Sequence, residues 1–376
     1  MPEQLAAYLY KRTPNLIEEL GRWIEIESFS SDITAVSWMV DVVGERLQAL
    51  GASVHLLNGK PQADHLLATW PGEGEPLLIV GHVDTVYPAG TLDEFPFRID
   101  GDTVRGPGVS DMKGCVLLAC AALEALRMHG RWTSRPLGFL ITSDEEIGSP
   151  TSRPHIEAQA RNCRAALIIE SAGDGGFLKV WRKSVSMYEL SVEGRASHAG
   201  VAPELGISAI HELAHQINQI VALAKPAIGT TINIGTFTGG TAGNVVAAEA
   251  QCRIDVRALT IVEAERVDAA IRALTPHLPG AKLTLSGGIN RPAMEQTDGN
   301  MAIYHRAEAI ASELGFTVTP GGTGGGSDGN FTSALGVPTL DGLGGVGSAS
   351  HSLDEWFSIS EFAPRAAMLA RLVETL

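Results

Sequence analysis

Two glutamates stand side by side in the segment GFLITSDEEIGSP, Glu145 and Glu146, where an apolar run (Phe139, Leu140, Ile141) gives way to a turn at Gly148 and Pro150. Burying one carboxylate is costly, and like charges this close repel. The pair therefore needs a compensating charge. Four further segments carry the residue types that bind hard metal ions. In LLIVGHVDTV, His82 and Asp84 are two residues apart and share a face on extended backbone. That suits a histidine ligand whose second ring nitrogen is held by a carboxylate, although a plain hydrogen bond at a strand end has the same spacing. Asp111 lies in the glycine-rich RGPGVSDMKGC just ahead of a helix, where a capping aspartate is the ordinary alternative. Glu170 follows an apolar strand in LIIESAG, and His351 sits in the small-residue loop GSASHSLDEW. Taken singly, each of these two reads as a solvated loop residue.

Together the residues read differently. His82, Asp111, Glu145, Glu146 and Glu170 all fall at C-terminal strand ends or in the loops that follow. In an open α/β sheet those ends form one rim, where ligands bind. Two histidines and three carboxylates could hold two divalent ions about 3.5–4 Å apart, with one carboxylate bridging and a water between them. One acidic residue is then left over as a general base for that water.

The elements that must position them follow from hydrophobic patterning. Helical patterns cover about 5–26, 33–50 and 112–129, and strands read at 53–57, 65–70, 77–80, 137–142 and 165–169. Apolar strands alternating with helices predict an α/β sheet covered on both faces. The character changes near Gly176. The segment SVSMYELSVEG alternates like a half-exposed strand, and helix 205–223, strands 231–236 and 248–258, helix 262–274 and strand 282–286 follow. The order βαββαβ is that of a ferredoxin-like split unit. The chain then returns to a helix at 300–314, the glycine-rich GGTGGGSDGN, a strand at 338–340, the His351 loop and a closing helix. The expected organisation is a catalytic domain of 1–180 and 291–376 interrupted by an inserted domain of 181–290.

Composition bounds the partners. The 376 residues are 44% apolar and 19% charged, an ordinary globular balance. A net charge of −15 argues against nucleic acid or an anionic membrane as partner. No apolar run approaches the roughly 20 residues of a spanning helix. The first residues read as an amphipathic helix and not as a signal peptide, so a cytoplasmic location is expected, although a processed exported chain would look the same. Cys115, Cys120, Cys163 and Cys252 lack metal-site spacing and are expected to be buried free thiols.

Helix 205–223 also contains a literal HExxH, from His211 through Glu212 to His215, which is the zincin signature. The stripe Ile207, Ile210, Ala214, Ile217 and Val221 marks the expected core face of an amphipathic helix, with both histidines on its polar flank. The motif is read as a coincidence.

The motifs GHVDTV, GPGVSDMKG, SDEEIGS, ESA, ASHAGVAPELG, AGNVV, DVRAL, GGGSDGNF and SHSLDE, in that order, resemble those of a zinc exopeptidase and deacylase family. It includes the folate-cleaving glutamate carboxypeptidases, aminoacylase, acetylornithine deacetylase and succinyl-diaminopimelate desuccinylase. The resemblance covers essentially the whole chain. It implies a mixed-sheet catalytic domain with an inserted ferredoxin-like lid, and a homodimer through that lid. It makes His82, Asp111 and Glu170 ligands of one zinc, and Asp111, Glu146 and His351 ligands of the other, with Asp111 bridging. It assigns Glu145 as general base and Asp84 as the group orienting His82, and it implies a cis peptide after Asp111. His198 would be brought by a partner's lid to stabilise an oxyanion, assisted by Asn244. Arg257 and Arg291 look like cations for a substrate carboxylate, and a structural ion pair is the alternative for each. The loop 321–326, including Gly325 and Gly326, would offer backbone N–H groups to the same carboxylate, while Asp328 would support the site. The segments GGGSDGNF and NRPAME point to the glutamate-carboxypeptidase branch, and an N-acyl-amino-acid deacylase is the alternative. The implied substrate is a small peptide or N-acyl amino acid with a free carboxylate. The implied cofactor is two Zn²⁺, for which Co²⁺ or Mn²⁺ could substitute at such ligands.

Overall fold

The computed structural model describes residues 2–376. The chain divides into two compact units. One comprises the chain up to Trp181 with Gln296–Thr323 and Ser327–Leu376, and the other comprises Arg182–Glu295 with Gly324–Gly326.

The first unit is built on a six-stranded sheet in the order Ser53–Leu57, His65–Trp70, Leu137–Thr142, Leu77–His82, Ala165–Ile168 and Thr339–Leu340. The last four strands run parallel to one another and the first two are antiparallel, so the sheet is mixed. Alternate strand residues feed two cores, as the period of two requires. Leu77, Ile79, Phe139, Ile141 and Leu167 pack into the core shared with helices Pro2–Ile24, Lys113–Met128 and Phe362–Thr375. Leu78, Val80, Leu140, Ala166 and Ile168 face the other way, toward Ile156 and Phe331. Each valine, leucine, isoleucine or phenylalanine side chain among them contributes roughly 1.5–3 kcal/mol by leaving water. Parallel register sets the site. Val80 lies opposite both Leu140 and Ile168, and His82 lies opposite Thr142, so three strands end on one rim.

A second small sheet joins Gly347–Ser348, Trp356–Ser358, Thr103–Arg105 and Arg98–Asp100. Sequence patterning predicts none of these, because two- and three-residue strands are too short to show a period. The pairing of Trp356 with Arg105 brings the segment before Asp111 beside the segment after His351.

The second unit has the predicted order βαββαβ, with strand order Thr231–Gly239, Glu249–Arg257, Val185–Glu193, Lys282–Arg291, all antiparallel. The last strand runs five residues past the predicted end at 286, with Arg291 opposite Val185. Met294 then bonds to Arg182. For that reason residues 291–295, together with Gly324–Gly326, group with this unit and not with the first.

The HExxH helix, Ala209–Val221, corrects one expectation. Its buried residues are Ala209, Glu212, Leu213, Gln216 and Ile220. Ala214 and Val221 of the predicted stripe are exposed, and Ile207, Ile210 and Ile217 are half-buried. Burial of polar residues turned the face. Glu212 accepts hydrogen bonds from the main-chain N–H of His277 and Leu278 and from Gln216, which also donates to the Thr275 carbonyl. Satisfied in this way, Glu212 anchors a loop, while His211 and His215 are exposed, the His215 ring lying 3.9 Å from that of His277. All four cysteines are free; Cys163 is only half-buried. Among the described residues, no helix is long and apolar enough to cross a membrane.

Candidate metal centre

His82 closes the central strand, and its ring is buried. Nδ1 lies 3.0 Å from the Asp84 carbonyl oxygen and 3.4 Å from Asp84 Oδ1. A carbonyl can only accept, so Nδ1 carries a hydrogen and Nε2 is turned inward. Nε2 faces Asp111 Oδ1 at 3.1 Å and Glu170 Oε1 at 3.7 Å. The other oxygen of Asp111 lies 3.4 Å from His351 Nε2, and that nitrogen lies 3.2 Å from Glu146 Oε2. Asp111 thus shows one oxygen to His82 and the other to His351. His82, Asp111 and Glu146 each offer a ligand atom within 4.8 Å of the others. Glu146 Oε1 is buried with no hydrogen-bond partner, an arrangement a bound cation relieves. The residues present therefore fit a divalent ion.

The turn that bears both glutamates is held from behind. Residues 145–147 form a single 3₁₀ turn closed by Gly148 at φ 92°. The Asp84 carboxylate accepts the Glu145 N–H at 3.1 Å on Oδ1. Its Oδ2 accepts the Glu146 N–H at 3.2 Å and the Ser30 hydroxyl at 2.7 Å. Asp84 therefore does more than orient His82: its carbonyl holds the ring, and its carboxylate holds the glutamate turn. Asp144 Oδ2 caps the next segment through Thr151 and Ser152. His65 Nδ1 accepts the Ser143 N–H at 3.2 Å. Asp328 accepts from Thr142 at 2.9 Å and from Ser149. Ser30 and His65 carried no sequence signal, because isolated polar residues look like any others until the fold buries them.

Charge dominates the centre. Hydrogen bonds to Asp111 and Glu146 hold His351 up to about 11. Burial and the neighbouring Asp111 charge push Glu146 up to about 7, against the pull of His351. Burial disfavours the charged form of His82, but its bonds to Asp111 and Asp84 outweigh this and raise it well above 6.5. Burial likewise opposes ionisation of Asp111, and the two histidines overcome it, so Asp111 lies well below the usual carboxylate range. In both histidines the surrounding carboxylates favour the charged form. His351 adopts φ 65° and Ala349 φ 60°, left-handed conformations that are unfavourable for residues other than glycine. The Asp111–Met112 peptide is cis.

The remaining predicted residues belong to the second unit. His198 is exposed and accepts the Gly200 N–H on Nδ1 at 3.1 Å. The adjacent Ala199 N–H donates to the Asn244 carbonyl at 2.9 Å, which sets His198 and Asn244 on neighbouring loops. Arg257 forms a two-bond pair with Asp255 at 2.7 Å and reaches the Gly324 carbonyl at 3.3 Å. Arg291 is buried, and a Cβ on Gly326 would lie 2.6 Å from its Cδ. The carbonyls of Gly325 and Gly326 accept from the buried Arg182 at 3.3 and 3.0 Å. Sequence reasoning passed over Arg182, which ends the strand Leu178–Arg182 and in sequence looks like any basic surface residue.

The sequence pattern of Peptidase family M20/M25/M40 matches residues 78–375. The chain belongs to that family. This M20 protein is 30% identical over 375 residues to carboxypeptidase G2 of Pseudomonas sp. (strain RS-16), an alignment covering 96% of this chain and 89% of that protein. Its fold is similar to that of aminopeptidase PepT from Bacillus cereus ATCC 10987, with a TM-score of 0.78, 22% identity and coverage of 96% and 98% of the two chains. It is also similar to the M20 metallo-carboxypeptidase Sso-CP2 from Sulfolobus solfataricus, with a TM-score of 0.76, 18% identity and coverage of 96% and 98%. The mixed central sheet with a separate antiparallel sheet is the M20 architecture, and the protein is a hydrolase of the metallopeptidase class.

Proposed function

We propose that this M20 protein is a dinuclear zinc carboxypeptidase that cleaves an amide bond to release a C-terminal amino acid. The observation that carries the reading is the arrangement of Asp111, with one oxygen toward His82 and the other toward His351. Flanked by Glu170 and Glu146, it presents two adjacent sets of ligands sharing one carboxylate. Bound there, two Zn²⁺ ions supply positive charge that polarises a carbonyl and makes a water acidic near neutral pH. Glu145 takes the proton of the attacking water and returns it to the leaving amine. The main-chain N–H that Glu145 donates to Asp84, next to that of Glu146, supports this role for it. His198 and Asn244 stabilise the oxyanion from a partner's lid. Arg291 and the loop at Gly325 and Gly326 hold the substrate carboxylate, with Arg257 supporting the loop through Gly324. The 30% identity to carboxypeptidase G2 supports the carboxypeptidase branch, and the lid unit would join two subunits.

The test compares Glu145→Gln, Glu146→Gln and Glu212→Gln for metal content and for hydrolysis of peptides and N-acyl amino acids with free carboxylates. Glu145→Gln is expected to keep both ions and lose turnover by at least about 100-fold. Glu146→Gln is expected to lose one ion. Activity that survives Glu145→Gln but not Glu212→Gln would sink the reading. Turnover confined to N-acyl amino acids would make the protein a deacylase.

A further inference from the structure

Glu355 is a fully buried carboxylate to which the proposed reaction assigns nothing. Its Oε1 accepts the main-chain N–H of Ser110 at 2.7 Å and of Asp111 at 2.9 Å. Its Oε2 accepts the Gly108 N–H at 3.1 Å and the Tyr87 hydroxyl at 2.6 Å. Three of these donors come from one loop that wraps a single anion with its N–H groups. That wrapping needs Gly108 at φ 75°, where a Cβ would also sit 2.8 Å from Thr85 Cγ2. The Tyr87 hydroxyl lies 2.9 Å from the Ser352 carbonyl as well. Glu355 therefore joins three segments, each bearing a proposed ligand: the one running on from His82 to Tyr87, the loop ending in Asp111, and the one from His351 to Glu355 itself.

We propose that Glu355 is a positioning residue of the metal centre, whose carboxylate fixes the Asp111 loop so that one oxygen faces His82 and the other His351. This rests on the metal-binding reading above. A carboxylate is needed because all four positions around it are filled by donors. Glutamine would set its own N–H₂ against either the Ser110 and Asp111 N–H groups or that of Gly108. The loop would then move, and Asp111 with it.

Two variants of the full chain test this, Glu355→Gln and Tyr87→Phe. Zn²⁺ affinity is read by competition with a chromogenic chelator, and ligand geometry by the visible absorption of the Co²⁺ form. Circular dichroism of the metal-free chains checks folding. Glu355→Gln is expected to bind Zn²⁺ about 10- to 100-fold more weakly, as loss of a group orienting a ligand does, and to alter the Co²⁺ spectrum. Tyr87→Phe is expected to weaken binding by about 3- to 10-fold, the equivalent of one hydrogen bond. A folded Glu355→Gln chain with unchanged affinity and spectrum, whatever its melting temperature, overturns the proposal. If Glu355→Gln does not fold, unchanged affinity in Tyr87→Phe overturns it. A wild-type chain that takes up no divalent ion refutes the metal reading and this inference together. Tight wild-type binding with unaltered variants refutes this inference alone.

Discussion

Replacing Asp84 with asparagine keeps its size but removes one acceptor and the charge. Two main-chain N–H groups depend on its carboxylate, Glu145 on Oδ1 and Glu146 on Oδ2. Whichever way the amide lies, one of them meets an N–H₂ donor. Nitrogen at the Oδ1 position would also confront the hydrogen on His82 Nδ1, 3.4 Å away. Nitrogen at the Oδ2 position is cheaper, because Ser30 can turn its hydroxyl to the Thr85 carbonyl at 3.3 Å and accept from the amide. The Glu146 N–H is then the group left unsatisfied. A buried donor without a partner costs about 1–3 kcal/mol, which is between about 5- and 150-fold in the folding equilibrium. Urea unfolding of the metal-free chain followed by tryptophan fluorescence measures it. The signal reports the first unit alone, since Trp23, Trp38, Trp70, Trp132, Trp181 and Trp356 all belong to it. Zn²⁺ affinity should fall about 10- to 100-fold at the same time, because the Glu146 turn shifts. Ser30→Ala is the control: it removes a donor and leaves both N–H groups satisfied, so it should cost only about 1 kcal/mol and spare metal binding. Unchanged stability and affinity in Asp84→Asn, or equal damage from Ser30→Ala, would refute the reasoning.

Metal uptake should release protons. His351, held up to about 11 by Asp111 and Glu146, carries a proton near neutral pH in the metal-free chain and must lose it to ligate. Affinity should therefore weaken as pH falls, with between about one and two protons released near neutral pH at that site, because Glu146, pushed up to about 7, must give up its share as well, and calorimetry in buffers of different ionisation heat measures it. Glu212→Gln should leave turnover intact, destabilise the second unit by about 1–3 kcal/mol, and speed amide exchange at His277 and Leu278. Gly326→Ala should raise KM by about tenfold with a smaller effect on kcat, since the new Cβ would press on buried Arg291 and on Val185, 2.8 Å away; an unchanged KM would remove Arg291 from the substrate site.

The large elements were legible because they are long enough to show a period. The strand Leu77–His82 is buried throughout because both its faces are covered, and the apolar run PLLIV says so directly. The strand-end positions of His82, Glu146 and Glu170 followed from three such runs, one ahead of each. The HExxH helix shows where patterning failed. Glu212 and Gln216 are polar yet buried, because the loop at His277 and Leu278 supplies donors that lie more than sixty residues away in sequence. Periodicity counts hydrophobicity and cannot see such a partner.

The sequence by itself determined the inventory: the ligand-type residues at strand ends, the α/β alternation that gathers them, the βαββαβ insertion, and the family. Only the tertiary structure decided how those residues are aimed. The direction of a side chain depends on hydrogen bonds between segments far apart in the chain. Asp84 meets the Glu145–Glu146 turn across 61 and 62 residues, and Glu355 meets the Asp111 loop across 244. Local sequence holds no trace of such pairings, because they exist only once the strands have closed into one rim and short strands such as Thr103–Arg105 and Trp356–Ser358 have brought two loops together.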